Sequence, residues 1–286
     1  MSPVTPVTPA TPGFPISKRR KAVPRWKQKL PFRRIFTYNV VCTLIAHVLM
    51  GCHLSSFNSL WFVFLSTPVN DPAHPDPPSY RRRLPFHFTG GLGMPPRDVG
   101  FAMSILGIIG IGMQLFIYPY VQAKLGTVKS WRIFLFCFPV AYVLAPYLSI
   151  IPSKSPPPAE KDGIRIWLAM CFVLFIHVTG RTFALPATTI LVNNATPHPS
   201  VLGTMHGIAQ SLASAARTVG PSLGGALYGV GLRMGVIGAV FWALSGVALI
   251  NCIASNWVRE GDGHEIVLEG DEEAEAEWLA SQGLGR

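Results

Sequence analysis

The feature that most limits this chain is where its charges are not. Six long apolar runs, at about residues 35–66, 99–122, 131–151, 166–192, 201–229 and 234–256, exclude all 14 Asp and Glu residues. Each run approaches or exceeds the ~20 residues that a helix needs to cross ~30 Å of hydrocarbon. Inside a bilayer no water is present to satisfy backbone N–H and C=O groups, so each segment must bond within itself as a helix. The pattern predicts an all-α fold: a polytopic membrane helical bundle of six transmembrane helices in contact with the lipid bilayer.

Composition agrees. Only 13% of the 286 residues are charged and 49% are hydrophobic, with a mean hydropathy of +0.36. A soluble domain of this size carries about 25% charge. The net charge of +10 does not point to nucleic acid, because nine Lys and Arg are concentrated in "KRRKAVPRWKQKLPFRR" at residues 18–34, directly before the first run. A basic cluster beside a membrane span marks the cytoplasmic side, at about 1 kcal/mol per charge near an anionic leaflet. Residues 1–34 therefore read as a disordered Pro/Thr-rich then basic cytoplasmic tail, and residues 258–286, with "GDEEAEAEW", as an acidic cytoplasmic tail. The five cysteines are scattered through apolar segments and form neither a disulfide framework nor a metal site. Nothing in the chain calls for a cofactor, and the start "MSPVTPVTPATPGFP" has no apolar signal-peptide core.

Orientation follows from the basic residues. Fourteen Lys and Arg fall in the two tails and the connection at residues 124–132, against eight in the opposite loops. Both termini are therefore expected in the cytoplasm of a plasma-membrane or vacuolar-membrane protein. The sequon Asn194-Ala195-Thr196 then lies on the cytoplasmic side and is expected to be unused. Asn193 and Asn194 read as helix C-terminal residues, where asparagine tolerates the left-handed conformation, while Asp98 is expected to cap the helix of the second run and Ser200 that of the fifth.

The fifth run carries the most specific pattern. Gly203, Gly207, Ser211 and Ala215 recur every four residues, as do Gly220 and Gly224, and small residues at this spacing let a second helix approach closely. At 100° per residue, His206, Gln210, Ser214 and Arg217 fall within about 80° of one another and form a polar stripe. An arginine within a membrane costs at least ~2.5–3.5 kcal/mol and faces a bundle interior or a wet cavity. Pro221 is expected to bend the helix beyond Arg217 and free backbone carbonyls there. In the fourth run His177 and Arg181 share a face at i and i+4, followed by Pro186. Asn58, beside a possible break at "SSFN" in the first run, and Gln114, in the second, complete the candidates for lining a pathway. His47 and His53 are six residues apart and do not share a face, so with His177 they make a poor zinc set. There is no nucleophile constellation, no His-Glu-x-x-His and no buried carboxylate pair, which argues against an enzyme.

The run "NNATPHPSVLGTMHGIAQSLASAARTVGPSLGGALYGVGL" at residues 193–232 resembles the penultimate span of fungal major facilitator superfamily transporters, in the multidrug–proton antiporter-like branch. "FLSTP" at residues 64–68, "GGLG" at 90–93, "YPYVQAKLGTVKSWR" at 118–132 and "RTFALPATTILVNN" at 181–194 support it. The third of these stands where the family's second half has a degenerate basic Gly/Asp loop motif, here without its acidic residue.

The resemblance implies a secondary transporter of small molecules, working by alternating access in multidrug efflux, of which this chain looks like the C-terminal six-helix half. Such proteins have twelve or more spans, so a separate N-terminal half or a second copy of this chain is the implied partner. No carboxylate is available within the spans for proton coupling, where His177 or His206 would have to substitute. That lack also keeps open an alternative, a non-transporting membrane scaffold or regulatory subunit.

Overall fold

A computed structural model describes residues 28–74 and 80–281, with side chains to residue 280, so most of the basic tail lies outside the described residues. Among the described residues there is no strand, and two units are distinguished: Leu30–Val267, and the residues outside that range. The second unit contributes one helix, α9 (Asp271–Ser281), whose first turn holds Asp271, Glu272 and Glu273. Acidic side chains there complement the positive end of the helix dipole. The Leu268 N–H donates to the Asp271 carboxylate at 2.6 Å.

The first unit is an all-α membrane bundle. Its helices are α1 (Tyr38–Ser66), α2 (Pro96–Gly112), α3 (Tyr118–Leu125), α4 (Thr127–Leu135), α5 (Cys137–Leu144), α6 (Ile164–Asn194), α7 (Leu202–Met234) and α8 (Gly238–Ala254). A π-helical turn, Met113–Ile117, joins α2 to α3, and a 3-10 turn, Ala145–Ile150, extends α5. Five segments are long and apolar enough to cross a membrane: Tyr38–Ser66, Pro96–Leu125, Thr127–Ile150, Ile164–Asn194 and Gly238–Trp257. At 33 residues α7 has the length, but its glycines and polar stripe leave it outside that apolar class.

The helices pack around α1, which lies along α7 and also touches α6 and α8. Trp61, Phe57, Phe64, Phe138, Tyr142 and Phe241 fill the centre and are almost completely buried. By contrast α2 and the π turn expose large apolar side chains, such as Ile108 at 71% and Phe116 at 78%, as a lipid-facing or partner-facing surface does.

Several local expectations are revised. Helix α1 runs unbroken through "SSFN", because Ser55 and Ser56 turn their hydroxyls back onto the Cys52 carbonyl at 3.1 and 2.8 Å and keep the polar atoms satisfied. Helix α2 begins at Pro96, with Asp98 inside its first turn, rather than being capped by Asp98. Before α7, the capping acceptor is the His198 ring rather than Ser200: its Nδ1 accepts the Ser200 N–H at 3.1 Å ahead of the turn Pro199–Val201. No described non-glycine residue has positive φ, so neither Asn193 nor Asn194 is left-handed; α6 ends on Ala195 at φ −75°. Both internal prolines, Pro186 and Pro221, lie within continuous helices.

The helix ends are tied down by identifiable groups. The "GGLGM" segment folds back on the last turn of α1, where the N–H groups of Leu92, Gly93 and Met94 donate to the carbonyls of Phe64, Thr67 and Leu65. These are carbonyls that an α-helix leaves without internal partners. The fit requires glycine at position 91, where a Cβ would fall on the carbonyl oxygens of Phe64 and Thr67. At the opposite end of the bundle, Arg132 donates to the carbonyls of Ser255 (3.1 Å), Asn256 (3.3 Å) and Val258 (2.7 Å) after α8. A cation suits the negative end of that helix. Asn39 also exchanges two bonds with the backbone of Arg259, at 3.1 and 2.8 Å, closing α1 onto the segment after α8.

Because the obstructing atoms at Gly91 are backbone, they cannot rotate away. Gly91→Ala is expected to lower stability by about 1–3 kcal/mol, read as a lower thermal midpoint in detergent. Gly100→Ala, where a Cβ meets nothing within 4 Å, should leave it unchanged within about 0.5 kcal/mol.

Candidate functional site

The candidate residues occupy two neighbouring cavities and one exposed helix face. The larger cavity, about 430 Å³, lies between α2 and α6 and brings Gln114 and Arg181 together with Thr182 and Pro186. Gln114 stands in the π-helical turn, and a Cβ added at Gly107 would meet nothing within 4 Å. Such turns widen a helix locally and recur at functional sites. Pro186 has no N–H to offer the Thr182 carbonyl one turn earlier, so a polar backbone atom is released beside Arg181.

The second cavity, about 200 Å³, lies between α1, α6 and α7 and is lined by His47, Ser55, Asn58, Thr188 and Arg217 among others. Both ring nitrogens of His47 are buried without a hydrogen-bond partner. The Arg217 guanidinium donates to Gln210 Oε1 at 3.3 Å, two turns earlier on α7. Pro221 likewise withholds an N–H from the Arg217 carbonyl. One side chain, Leu185 of α6, lines both cavities. Arg181 and Arg217 therefore line adjacent chambers that share the side chain of Leu185.

The polar stripe of α7 is only partly assembled. Gln210, Ser214 and Arg217 are exposed and His206 is half-buried, and of the four Arg217 alone lines the second cavity. His177 is separated from Arg181 although they share a helix face. It is fully buried against Phe57 (ring centroids 4.4 Å), Phe138 (5.7 Å) and Tyr142 (6.0 Å), in the aromatic core rather than in either cavity. The glycines also divide. A Cβ at Gly220 would come within 2.6 Å of Ser56 Oγ and 2.7 Å of the Cys52 carbonyl, and one at Gly224 within 3.3 Å of Leu60. Gly203 and Gly207 meet nothing within 4 Å, so no described residue packs against them.

The sequence reading missed a buried polar group beside that aromatic core. His53 Nδ1 pairs with the Tyr142 hydroxyl at 2.9 Å, and Asn251 Nδ2 approaches His53 Nε2 at 3.4 Å, joining α1, α5 and α8. No local pattern links residues 89 and 198 positions apart. Thr188, by contrast, was findable: it follows Arg181 by seven residues, two turns along the same face of α6.

Comparison with known proteins gives the sequence relationship. The chain is 35% identical over 229 residues to the major facilitator superfamily multidrug transporter mfsB of Aspergillus fumigatus, a match covering 80% of this chain and 35% of that protein. By sequence, the chain is a relative of the major facilitator superfamily transporters. It is also 26% identical over 159 residues to the major facilitator-type transporter psiT2 of Psilocybe cyanescens, covering 54% of this chain and 30% of that protein. The psiT2 of Psilocybe cubensis matches at 24% over the same length. The chain thus spans about a third of the length of these major facilitator relatives. No protein-family profile matches it, and no solved structure does. The apolar helices and the similarity to these transporters support an integral membrane protein.

Two α7 glycines in different surroundings give a direct check. Gly220→Val places a branched side chain against α1 and is expected to lower the midpoint of unfolding in detergent, at a cost of about 1–3 kcal/mol. Gly203→Val, in open space, should change it by no more than about 0.5 kcal/mol.

Proposed function

We propose that this chain is one six-span half of a major facilitator secondary transporter, moving a small molecule by alternating access. It is a transporter component and not an enzyme. In this reading α7 is the sixth span, both termini face the cytoplasm, and the membrane is the plasma or vacuolar one. The partner is a separate N-terminal half or a second copy of the chain. The observation that carries the reading is the 35% identity to a multidrug transporter over 80% of the chain. The site geometry supports it: two chambers that share Leu185 bring Arg181, Gln114, Asn58 and Arg217 from four helical elements to one region. Substrate sites of such transporters lie where helices from the two halves meet near the bilayer midplane. The unpartnered face of α7, with Gly203, Gly207, Gln210 and Ser214, is where another set of helices would close the pathway.

A scaffold or regulatory subunit is the second reading, favoured by the lack of a carboxylate in either arginine chamber, Asp98 lying at the start of α2. Dye accumulation in cells expressing the chain, alone and with the remaining length found in its relatives, separates the two. Transport predicts that expression lowers dye accumulation and that Arg217→Ala abolishes the effect, with the variant inserted in the membrane at the wild-type level. Unchanged accumulation with both forms would favour the scaffold.

A further inference from the structure

The charge lining the chambers has one sign. In the α2–α6 chamber the charged residue is Arg181, and in the α1–α6–α7 chamber it is Arg217, with the imidazole of His47 beside it. A third cavity, about 280 Å³, forms where the connections after α1 and after α5 meet, and its charged lining residues are Arg82 and Lys161. Asn70, Thr89 and Ser149 add neutral hydrogen-bonding groups there. Burial, and secondarily the nearby Arg82, push the Lys161 ammonium below its ordinary value, as expected of a half-buried cation beside another cation. No Asp or Glu lines any of these three cavities. Of the chain's acidic residues, Asp98 alone lies in one of the five apolar spanning segments, in the first turn of α2. Among the described residues neither Arg181 nor Arg217 has a salt-bridge partner; Arg217 has only the neutral Gln210.

A guanidinium held away from bulk water is stabilised by a counter-charge, and its planar fork matches carboxylate and phosphate oxygens in paired hydrogen bonds. Asp98, at the start of α2, lines neither chamber, so the described residues around Arg181 and Arg217 supply no such counter-charge. A chamber of about 430 Å³ falls in the size range of small-molecule sites, which bind apolar bodies and use a few placed polar groups for selection.

We propose that the transported compound is an amphiphilic organic anion, with its carboxylate, sulfonate or phosphate taken by Arg181 and Arg217 and its apolar body lying along Leu185. Arg82 and Lys161, in the separate third cavity, carry charge of the same sign. This rests on the transporter reading and adds the charge class of the substrate to it. The lone positive sign makes the chambers unfavourable for lipophilic cations, so the selection is by repulsion as well as by pairing.

The test uses the full chain in neutral phosphatidylcholine nanodiscs, with carboxyfluorescein as the anionic probe and rhodamine 6G as the cationic one, read by fluorescence anisotropy. The wild type is expected to bind the anion at least about tenfold more tightly. Arg181→Gln and Arg217→Gln should each weaken it about tenfold, the effect of losing one charge-assisted hydrogen bond, with rhodamine 6G binding unchanged or improved. Arg181→Lys and Arg217→Lys keep the charge and should retain most of the anion affinity. Should a Gln variant lose its helical circular dichroism, the wild type still decides: raising ionic strength from about 0.02 to about 0.5 M should weaken anion binding alone. No anion binding, a preference for rhodamine 6G, or Gln variants that bind the anion as the wild type does would each overturn the proposal. Anion-selective binding without dye movement in cells would sink the transport reading and leave the anion site standing. Arginine-independent movement of rhodamine 6G would do the reverse.

Discussion

The close contact between α1 and α7 is the constraint on which the arrangement of this bundle depends. Lipid tails are as apolar as leucine, so helices in a bilayer gain little from hiding apolar surface against one another. What holds them is close packing of small residues and satisfaction of polar atoms. Gly220 and Gly224 allow α7 to reach the Cys52 carbonyl, Ser56 and Leu60 of α1. Ser55 and Ser56 bond back to their own helix, so that neither hydroxyl is left unpaired. With one face of α7 fixed in this way, the opposite face, carrying Gly203, Gly207, Gln210 and Ser214, is turned out of the bundle. The chamber of Arg217 opens along the same seam.

Helix α6 then links two different interiors. Its His177 belongs to a tightly packed aromatic centre with Phe57, Phe138 and Tyr142, next to the His53–Tyr142–Asn251 group. Two turns further along, Leu185 forms the wall between the two arginine chambers. A rigid centre beside roomy, positively lined chambers is the arrangement expected when one part of a bundle must hold its shape and another must admit a solute. The prolines at 186 and 221 serve the second part, because each removes one backbone donor next to an arginine without ending its helix.

Much of this was legible before any coordinates. The apolar runs gave the helices, with five of them long and apolar enough to span, and the small-residue spacing marked α7 as a packing helix. The two arginines within the apolar runs at residues 166–192 and 201–229 each line one of the chambers. The misreadings have a common cause. Helical spacing tells which residues share a face, not what that face meets. His177 and Arg181 share a face yet separate into core and chamber, and Gly203 and Gly220 belong to two repeats of the same spacing yet only the second touches a neighbour. Caps failed similarly: His198 replaced Ser200 as the capping acceptor because side-chain geometry chose between two adjacent candidates.

The sequence by itself determined that this protein is a helical membrane bundle and that its interior charges are cationic, since hydrocarbon leaves few alternatives for backbone and charge alike. Only the tertiary structure decided which helices meet. That depended on contacts between residues 89 or more positions apart: Gly220 on Cys52 and Ser56, Arg132 on the carbonyls after α8, His53 on Tyr142 and Asn251. It was this pairing, fixed by small-residue fit and hydrogen-bond satisfaction across the bundle, that set Arg181 and Arg217 on either side of a single leucine.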